Sequence, residues 1–256
     1  MNDQQGAEEK TNFGFKKVNL KDKKSLVNEI FSSVASKYDI MNDLMSLGVH
    51  RLWKAKFCSE VDLSINPNIL DVAAGTGDIA LRLKATATKE NNLDTHITIC
   101  DVNQDMINIA RDRAIDKNFL KNIDYLCADA QILPFENNIF DYYTIGFGIR
   151  NVTKIEEALR EAYRVLKPGG RFLCLEFSKV KPALRQCYNF YSFNIIPNIG
   201  KLIADNADAY QYLVESINLF PDQQSFAELI RDAGFQRVHY QNLSFGIAAI
   251  HSAYKL

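Results

Sequence analysis

The chain has no apolar run approaching the roughly 18 residues that a membrane-spanning helix needs, so any membrane contact is expected to be peripheral. It also lacks a charge surplus: 30 Lys and Arg stand against 31 Asp and Glu, a net charge of −1. Without a global positive field nothing draws the chain toward nucleic acid, and no such partner is expected. Cysteine is scarce. Cys58, Cys100, Cys127, Cys174 and Cys187 are odd in number and contain no Cys-x-x-Cys spacing, which argues against a disulfide framework and structural zinc and points to a reducing compartment. The opening Met1 to Lys10 has no apolar core of signal-peptide type and is too acidic for a transit peptide. The expected location is therefore cytoplasmic, with contact at the inner membrane face as the peripheral option. Internal repeats and low-complexity tracts are also missing.

What is present is an α/β composition. With 47% hydrophobic and 24% charged residues over 256 positions, the chain can bury a full core as one large domain. Apolar runs at Asn68–Ala74, Thr95–Val102, Ile123–Cys127, Phe140–Phe147 and Arg171–Ser178 read as buried strands, with intervening segments long enough for crossover helices. Alternating βα units of this kind build a mostly parallel, doubly wound sheet. Phe235–Ser244 and Ile247–Tyr254, separated by a short turn, are expected to pair as an antiparallel hairpin on its edge. One helix can be specified closely. Thr153 and Glu156 form a capping box, Ile155, Ala158, Leu159, Ala162 and Leu166 form an apolar stripe, and Lys167-Pro168-Gly169-Gly170 ends it.

Residues 1–24 read as a flexible basic arm, with five lysines against one aspartate between Lys16 and Lys24, a segment that could touch an anionic surface. Residues 25–256 read as one domain. Within it, 25–62 is expected to form a helical cap, because Leu26, Val27, Ile30, Phe31 and Val34 recur at helical spacing and Met41, Leu44, Met45, Leu47 and Trp53 follow. Residues 182–232 interrupt the strand alternation as a helical insert. Its aromatic stretch from Tyr188 to Ile203 either covers a crevice for a large apolar substrate or packs as ordinary core.

The most informative stretch is Asn68-Ile-Leu-Asp71-Val-Ala-Ala-Gly75-Thr76-Gly77-Asp78-Ile-Ala80, a buried strand that ends in a glycine turn and restarts as a helix. Gly75-x-Gly77-x-x-Ala80 on its own also fits a dinucleotide fingerprint. Charge separates the readings. A dinucleotide brings a pyrophosphate to the helix N-terminus, whereas Asp78 stands in that turn and Asp71 on the strand before it. Carboxylates there repel phosphate and suit a donor that carries an ammonium and a sulfonium; S-adenosylmethionine is the common cofactor of that description. Asp101, which ends the next apolar run, is placed to accept both ribose hydroxyls.

Several segments, taken in order, resemble one family. They are Phe31-Ser-Ser-Val-Ala-Ser-Lys-Tyr38-Asp39-Ile-Met-Asn42 through His50-Arg51-Leu-Trp53-Lys54, the glycine turn, Gly148-Ile-Arg150-Asn151-Val152, Arg164-Val-Leu-Lys-Pro-Gly-Gly through Glu176-Phe-Ser-Lys179, and Tyr191-Ser-Phe-Asn-Ile-Ile-Pro197. The glycine turn and Leu-Lys-Pro-Gly-Gly are common to class I methyltransferases; the remaining stretches resemble the S-adenosylmethionine-dependent C-methyltransferases of ubiquinone and menaquinone biosynthesis, over nearly all of the chain after about residue 25. The resemblance implies a class I, Rossmann-like methyltransferase domain. It also implies that Asp71, Gly75, Thr76, Gly77, Asp101, Asp129 and Ala130 line the cofactor site, with Asp129 accepting from the adenine amino group. Family members often carry asparagine at the Asp129 position, which keeps an acceptor, and serine at the Gly146 position, which does not carry over.

The implied acceptor is a lipophilic, polyprenylated quinol, either a 2-methoxy-6-polyprenyl-1,4-benzoquinol or a demethylmenaquinol. Arg150 and Asn151, just past the fourth strand of the sheet, are the expected catalytic pair: they sit where ligands bind and can grip the ring oxygen. Arginine is too basic to act as a free base, but it can stabilise a phenolate. Tyr38 and Asp39 are candidates to close over the cofactor, and His50 to accept a proton. Methylation of another small apolar acceptor, or a cofactor-binding scaffold without catalysis, are the alternative functions. A homodimer or a quinone-synthesis complex are candidate assemblies.

Overall fold

The computed structural model describes residues 10–34, 43, 46, 48–180 and 207–256. Seven strands form the central sheet: β3 (Asn68–Val72), β4 (His96–Asp101), β5 (Ile123–Cys127), β6 (Phe140–Gly146), β7 (Leu166–Phe177), β8 (Gln236–Leu243) and β9 (Ala248–Tyr254). Their order is β5-β4-β3-β6-β7-β9-β8. The first five pair in parallel, and β9 pairs antiparallel with both β7 and β8. The sheet is therefore mostly parallel with an antiparallel C-terminal edge, as the strand pattern implied.

The side-chain alternation of the strands decides which helix covers which face. Ile69, Ile97 and Ile99 face one core, shared with α2 (His50–Cys58), α3 (Asp78–Lys89), α4 (Gln104–Asp116) and α6 (Ala207–Leu219). Leu70, Val72 and Cys100 face the other, shared with α5 (Ile155–Val165) and α7 (Gln223–Asp232). A strand buried on both sides needs apolar residues at successive positions, which explains the unbroken runs in β3 and β4. Within the cap, α2 buries His50, Trp53, Lys54 and Phe57 at helical spacing, and Trp53 Nε1 donates to Ser244 Oγ at 2.9 Å. Among the described residues, no helix is long and apolar enough to cross a membrane.

Three local expectations fail. Part of the arm expected over residues 1–24 is a hairpin, β1 (Lys10–Phe13) with β2 (Lys16–Asn19), and α1 (Leu20–Val34) starts directly after it. Lysine content concealed this, because Lys23 is buried and its Nζ donates to the Val152 carbonyl at 3.3 Å, while Lys24 is ion-paired to Asp129 at 2.9 Å. The capping box is absent as well. Lys154 takes the N-cap of α5 with no side-chain cap, and its own N–H donates to Gln131 Oε1 at 2.9 Å, which moves the helix start one residue past Thr153. Finally, Leu166 leaves the helix and begins β7. The Lys167-Pro168-Gly169-Gly170 turn bulges within that strand, where the pairing jumps from Phe140–Leu166 to Tyr142–Arg171.

Candidate functional site

The chain leaves β3 toward β4 on one side and later returns to β6 on the other, so the strand order reverses at β3. Ligand crevices in open α/β sheets form at such a point, outside the carboxyl ends of the strands. Here a crevice of about 780 Å3, counted out to open solvent, is bounded by Val72, Ala73 and Gly75 after β3, Asp101 to Asn103 after β4, Ala128 to Gln131 after β5, and Phe147, Gly148 and Asn151 to Thr153 after β6. Lys24, Val27 and Asn28 of α1 close the remaining side, and Met106 of α4 adds an apolar contact.

The backbone holds these loops in costly shapes. Ala73 and Phe147 have φ of 48° and 59°, a left-handed region that non-glycine residues occupy at about 1–3 kcal/mol each. A Cβ on Gly148 would lie 2.4 Å from the Cβ of Ala73, so only glycine lets the ends of β3 and β6 approach this closely. At the helix entry Gly77 has φ of 79°, and a Cβ there would meet Ala110 at 3.0 Å. Sheet-like hydrogen bonds run on past the strands, from Ala74 N to the Cys100 carbonyl at 3.1 Å and from Phe147 N to the Leu175 carbonyl at 2.7 Å.

The glycine turn resolves its own charge question. Asp71 is fully buried beneath the turn, where Oδ2 accepts from Ala80 N at 3.2 Å and Oδ1 from Thr144 Oγ1 at 2.8 Å. Burial pushes its carboxyl up to about 7. Asp71, expected among the cofactor residues, lies beneath the turn and outside the crevice lining. It occupies, from inside the protein, the anion site that the N-terminus of α3 would offer a phosphate. Asp78 lies outside the crevice lining and is neutralised, with Lys54 at 2.7 Å and Arg82 at 2.8 Å. Burial alone would raise its carboxyl, and those two cations bring it below the usual range. Thr76 is also buried behind the turn and accepts from Arg113 Nη1 at 2.8 Å; neither it nor Gly77 lines the crevice.

Of the expected cofactor residues, Gly75, Asp101, Asp129 and Ala130 are brought together on the crevice wall. Asp101 Oδ2 accepts from Gly75 N at 2.8 Å and Oδ1 from Asn103 N at 2.9 Å. Each oxygen keeps a lone pair for a ligand. Burial raises its carboxyl against the pull of those N–H groups, so a nearby cation would favour its charged form. Asp129 is more committed: Oδ1 accepts twice from Gln131, at 3.0 Å and 2.9 Å, and Oδ2 holds Lys24. Burial would raise Asp129, but those partners together lower it.

Arg150 and Asn151 are neighbours in sequence but separate in space. Asn151 lines the crevice, and its Oδ1 accepts from the Tyr212 hydroxyl of α6 at 3.1 Å. Arg150 does not line it. Its guanidinium is buried against Glu176 of β7, with Nη1 to Oε1 at 2.8 Å, and it also donates to the Phe147 carbonyl. Burial raises the Glu176 carboxyl and Arg150 counters that, leaving the net shift upward. The Arg150 guanidinium is thus placed behind the crevice wall, where Glu176 is its counter-charge among the described residues. His50 is likewise outside the crevice lining: its Nε2 pairs with Asp43 Oδ1 at 2.8 Å, and its buried Nδ1 has no partner among the described residues. Tyr38, Asp39, the aromatic stretch Tyr188–Ile203 and the Tyr191–Pro197 motif lie outside the described residues.

The sequence reading missed the α1 wall, Asn103, Glu176 and Tyr212. Asn103 had a local signal, as the N-cap of α4 accepting from Asp105 N at 2.9 Å and Met106 N at 3.2 Å. Tyr212 had none, since its partner is 61 positions away.

These residues fit S-adenosylmethionine. Two carboxylates face the crevice, the N–H groups of Gly75 and Ala80 are taken by aspartates, and the lining lysine is paired, so the site offers a cation more than it offers a phosphate. A family model described as the ubiE/COQ5 methyltransferase family matches residues 17–255. A ubiquinone/menaquinone biosynthesis C-methyltransferase UbiE from Rickettsia bellii (strain OSU 85-389) is 58% identical over 96% of this chain and 99% of its own length, and the protein of the same name from Rickettsia prowazekii (strain Madrid E) is equally similar over the same shares. Among solved structures, a SAM-dependent methyltransferase from Thermotoga maritima aligns over 89% of this chain and 99% of its own with a TM-score of 0.61 at 19% identity. One from Aquifex aeolicus aligns over 79% and 89% with a TM-score of 0.56 at 19% identity. With its fold and crevice already those of a class I methyltransferase, the chain belongs to the ubiE/COQ5 methyltransferase family.

Proposed function

We propose that this enzyme methylates a ring carbon of a polyprenylated quinol in ubiquinone or menaquinone biosynthesis, with S-adenosylmethionine bound in the crevice at the ends of β3, β4 and β6. The observation that carries the cofactor side is the pair Asp101 and Asp129 as the charged acceptors on the wall, with the buried Asp71 under the glycine turn taking the Ala80 N–H of the helix N-terminus. The acceptor side rests on the relatives' printed activity and on Asn151 in the same crevice.

When bound, the cofactor supplies an electrophilic methyl group on a cationic sulfur. Asp101 would accept from the ribose hydroxyls, Asp129 would accept from the adenine amino group, and Val102, Met106 and Ala130 would present an apolar wall to the base. Asn151 holds the ring oxygen of the quinol. Arg150 acts from behind, bridging the Phe147 carbonyl to Glu176 and so fixing the end of β6 from which Asn151 projects. Charge is dispersed as the methyl moves, so helix α1 contributes by keeping water out. Holding both partners at near-attack distance can supply about 7–11 kcal/mol at best, the largest contribution open to a site of this kind.

The same reading brings the chain to its lipophilic acceptor at a membrane surface. Of the lysines between Lys16 and Lys24, Lys16, Lys17 and Lys21 are exposed and without internal duty, and they are the residues to meet anionic headgroups. Purified protein incubated with S-adenosylmethionine and either demethylmenaquinol or 2-methoxy-6-polyprenyl-1,4-benzoquinol should yield a product one methyl heavier by mass spectrometry. Cofactor binding with no product from either quinol would end this reading.

A further inference from the structure

Helix α6 touches the site at one point. Tyr212 is buried, and its hydroxyl meets Asn151 Oδ1 at 3.1 Å. Its ring is also stacked on Phe13 of the N-terminal hairpin, with centroids 4.6 Å apart, so the phenol has little freedom to turn away. A primary amide presents an acceptor at one end and two donors at the other, and rotating it exchanges the two. The quinol oxygen needs the donor end. The contact with Tyr212 fixes that orientation, because its hydroxyl donates to Asn151 Oδ1 and so turns the amide nitrogen away. Burial lifts the Tyr212 hydroxyl to about 12, so it carries its proton throughout the neutral range.

Resting on the function proposed above, we infer that Tyr212 is the positioning residue of the acceptor site: its hydroxyl takes Asn151 Oδ1 and leaves Nδ2, which has no acceptor among the described residues, to donate to the ring oxygen of the quinol. Tyr212 does not touch the acceptor itself. Its effect passes through one amide, which gives turnover a dependence on a residue that never meets the quinol.

The test uses the full chain in the methyl-transfer assay with demethylmenaquinol. Tyr212→Phe keeps the ring and the stack on Phe13 and removes only the hydroxyl. It should lower kcat about tenfold, the equivalent of one hydrogen bond, and leave cofactor affinity within about twofold. Asn151→Ala should cost about a hundredfold, and adding Tyr212→Phe to it should cost nothing further, since the two act as one unit. Unchanged kcat in Tyr212→Phe, or additive losses in the double variant, would overturn the inference. A second measurement does not depend on how that variant folds. Replacing Tyr212 with 3,5-difluorotyrosine makes the hydroxyl more acidic at almost constant shape, so kcat should gain an alkaline limb that the unmodified chain lacks. Absence of that limb would also overturn the inference. Lack of turnover by the unmodified chain would instead count against the function proposed above.

Discussion

The two sides of the crevice are built differently. The cofactor side is made of backbone N–H groups held by aspartates: Gly75 donates to Asp101, Ala80 to Asp71 nine positions before it, and Asn103 to Asp101 two positions before it. The acceptor side is made of side chains that hold one another, with Arg150 on Glu176 and Tyr212 on Asn151. The difference teaches where specificity can change. A site fixed by its own turn keeps one ligand, whereas a site assembled from distant helices can be altered without disturbing the turn.

Four substitutions would break or sharpen this contrast. The largest effect is expected on the acceptor side, from Arg150→Ala. It strands a carboxylate that is 1% exposed, and breaking a buried pair costs about 3–5 kcal/mol. Calorimetry should show a large fall in Tm, which Arg150→Ala with Glu176→Gln partly restores; an unchanged Tm would mean the pair is not sealed from water. Next, Asp101→Ala should weaken S-adenosylmethionine by roughly 10–100-fold, at about 1.5–3 kcal/mol for hydrogen bonds to a charged group. Titration calorimetry reads this directly, and full affinity would remove the ribose role.

The third concerns pH. Folding raises the Asp71 carboxyl from 3.8 to about 7, so the folded chain keeps a proton that the unfolded chain has released. The stability this group contributes is complete below pH 3.8, declines as pH climbs to 7 and is flat above. His251 works in the opposite sense. Burial lowers it from 6.5 to about 4, so its contribution is complete above pH 6.5 and is lost as pH falls toward 4. Asp71→Asn should therefore flatten the decline between pH 4 and 7 relative to the unchanged chain in urea unfolding, leaving the His251 slope in place. Identical profiles would show that Asp71 ionises normally. The smallest effect is expected from Lys24→Met, which frees Asp129 Oδ2. The pair is half-exposed, and such pairs are worth about 0.2–1 kcal/mol, so cofactor affinity should rise by no more than about fivefold. A fall in affinity would mean that Lys24 contacts the cofactor itself.

The same division explains what could be read from sequence. Strands β3, β4 and β6 were legible because both of their faces are buried, and the glycine turn because φ and close approach restrict it to few residues. Asp101 was legible because a carboxylate at the end of β4 beside that turn faces the crevice. The surroundings of Asp71 were not legible: from sequence, a carboxylate on a strand can face a ligand or a neighbouring N–H, and the fold puts the Ala80 N–H on it. Lysines 16 to 24 looked solvated by composition, yet Lys23 and Lys24 have partners on residues 152 and 129. The burial of Arg150 was hidden for a related reason. Its counter-charge, Glu176, stands 26 positions on, and no local pattern announces the pair.

The antiparallel edge has a consequence for synthesis. Strand β7 pairs with β9 from Arg171–Tyr254 to Phe177–Ala248, and Lys255 bonds back to Gly169 and Gly170. On the ribosome, β7 emerges long before its second neighbour does, and until then it offers an unsatisfied row of amides and carbonyls. A transcript truncated ahead of Ala248 would thus release a polypeptide with a sticky flank, a natural client for chaperones and proteases.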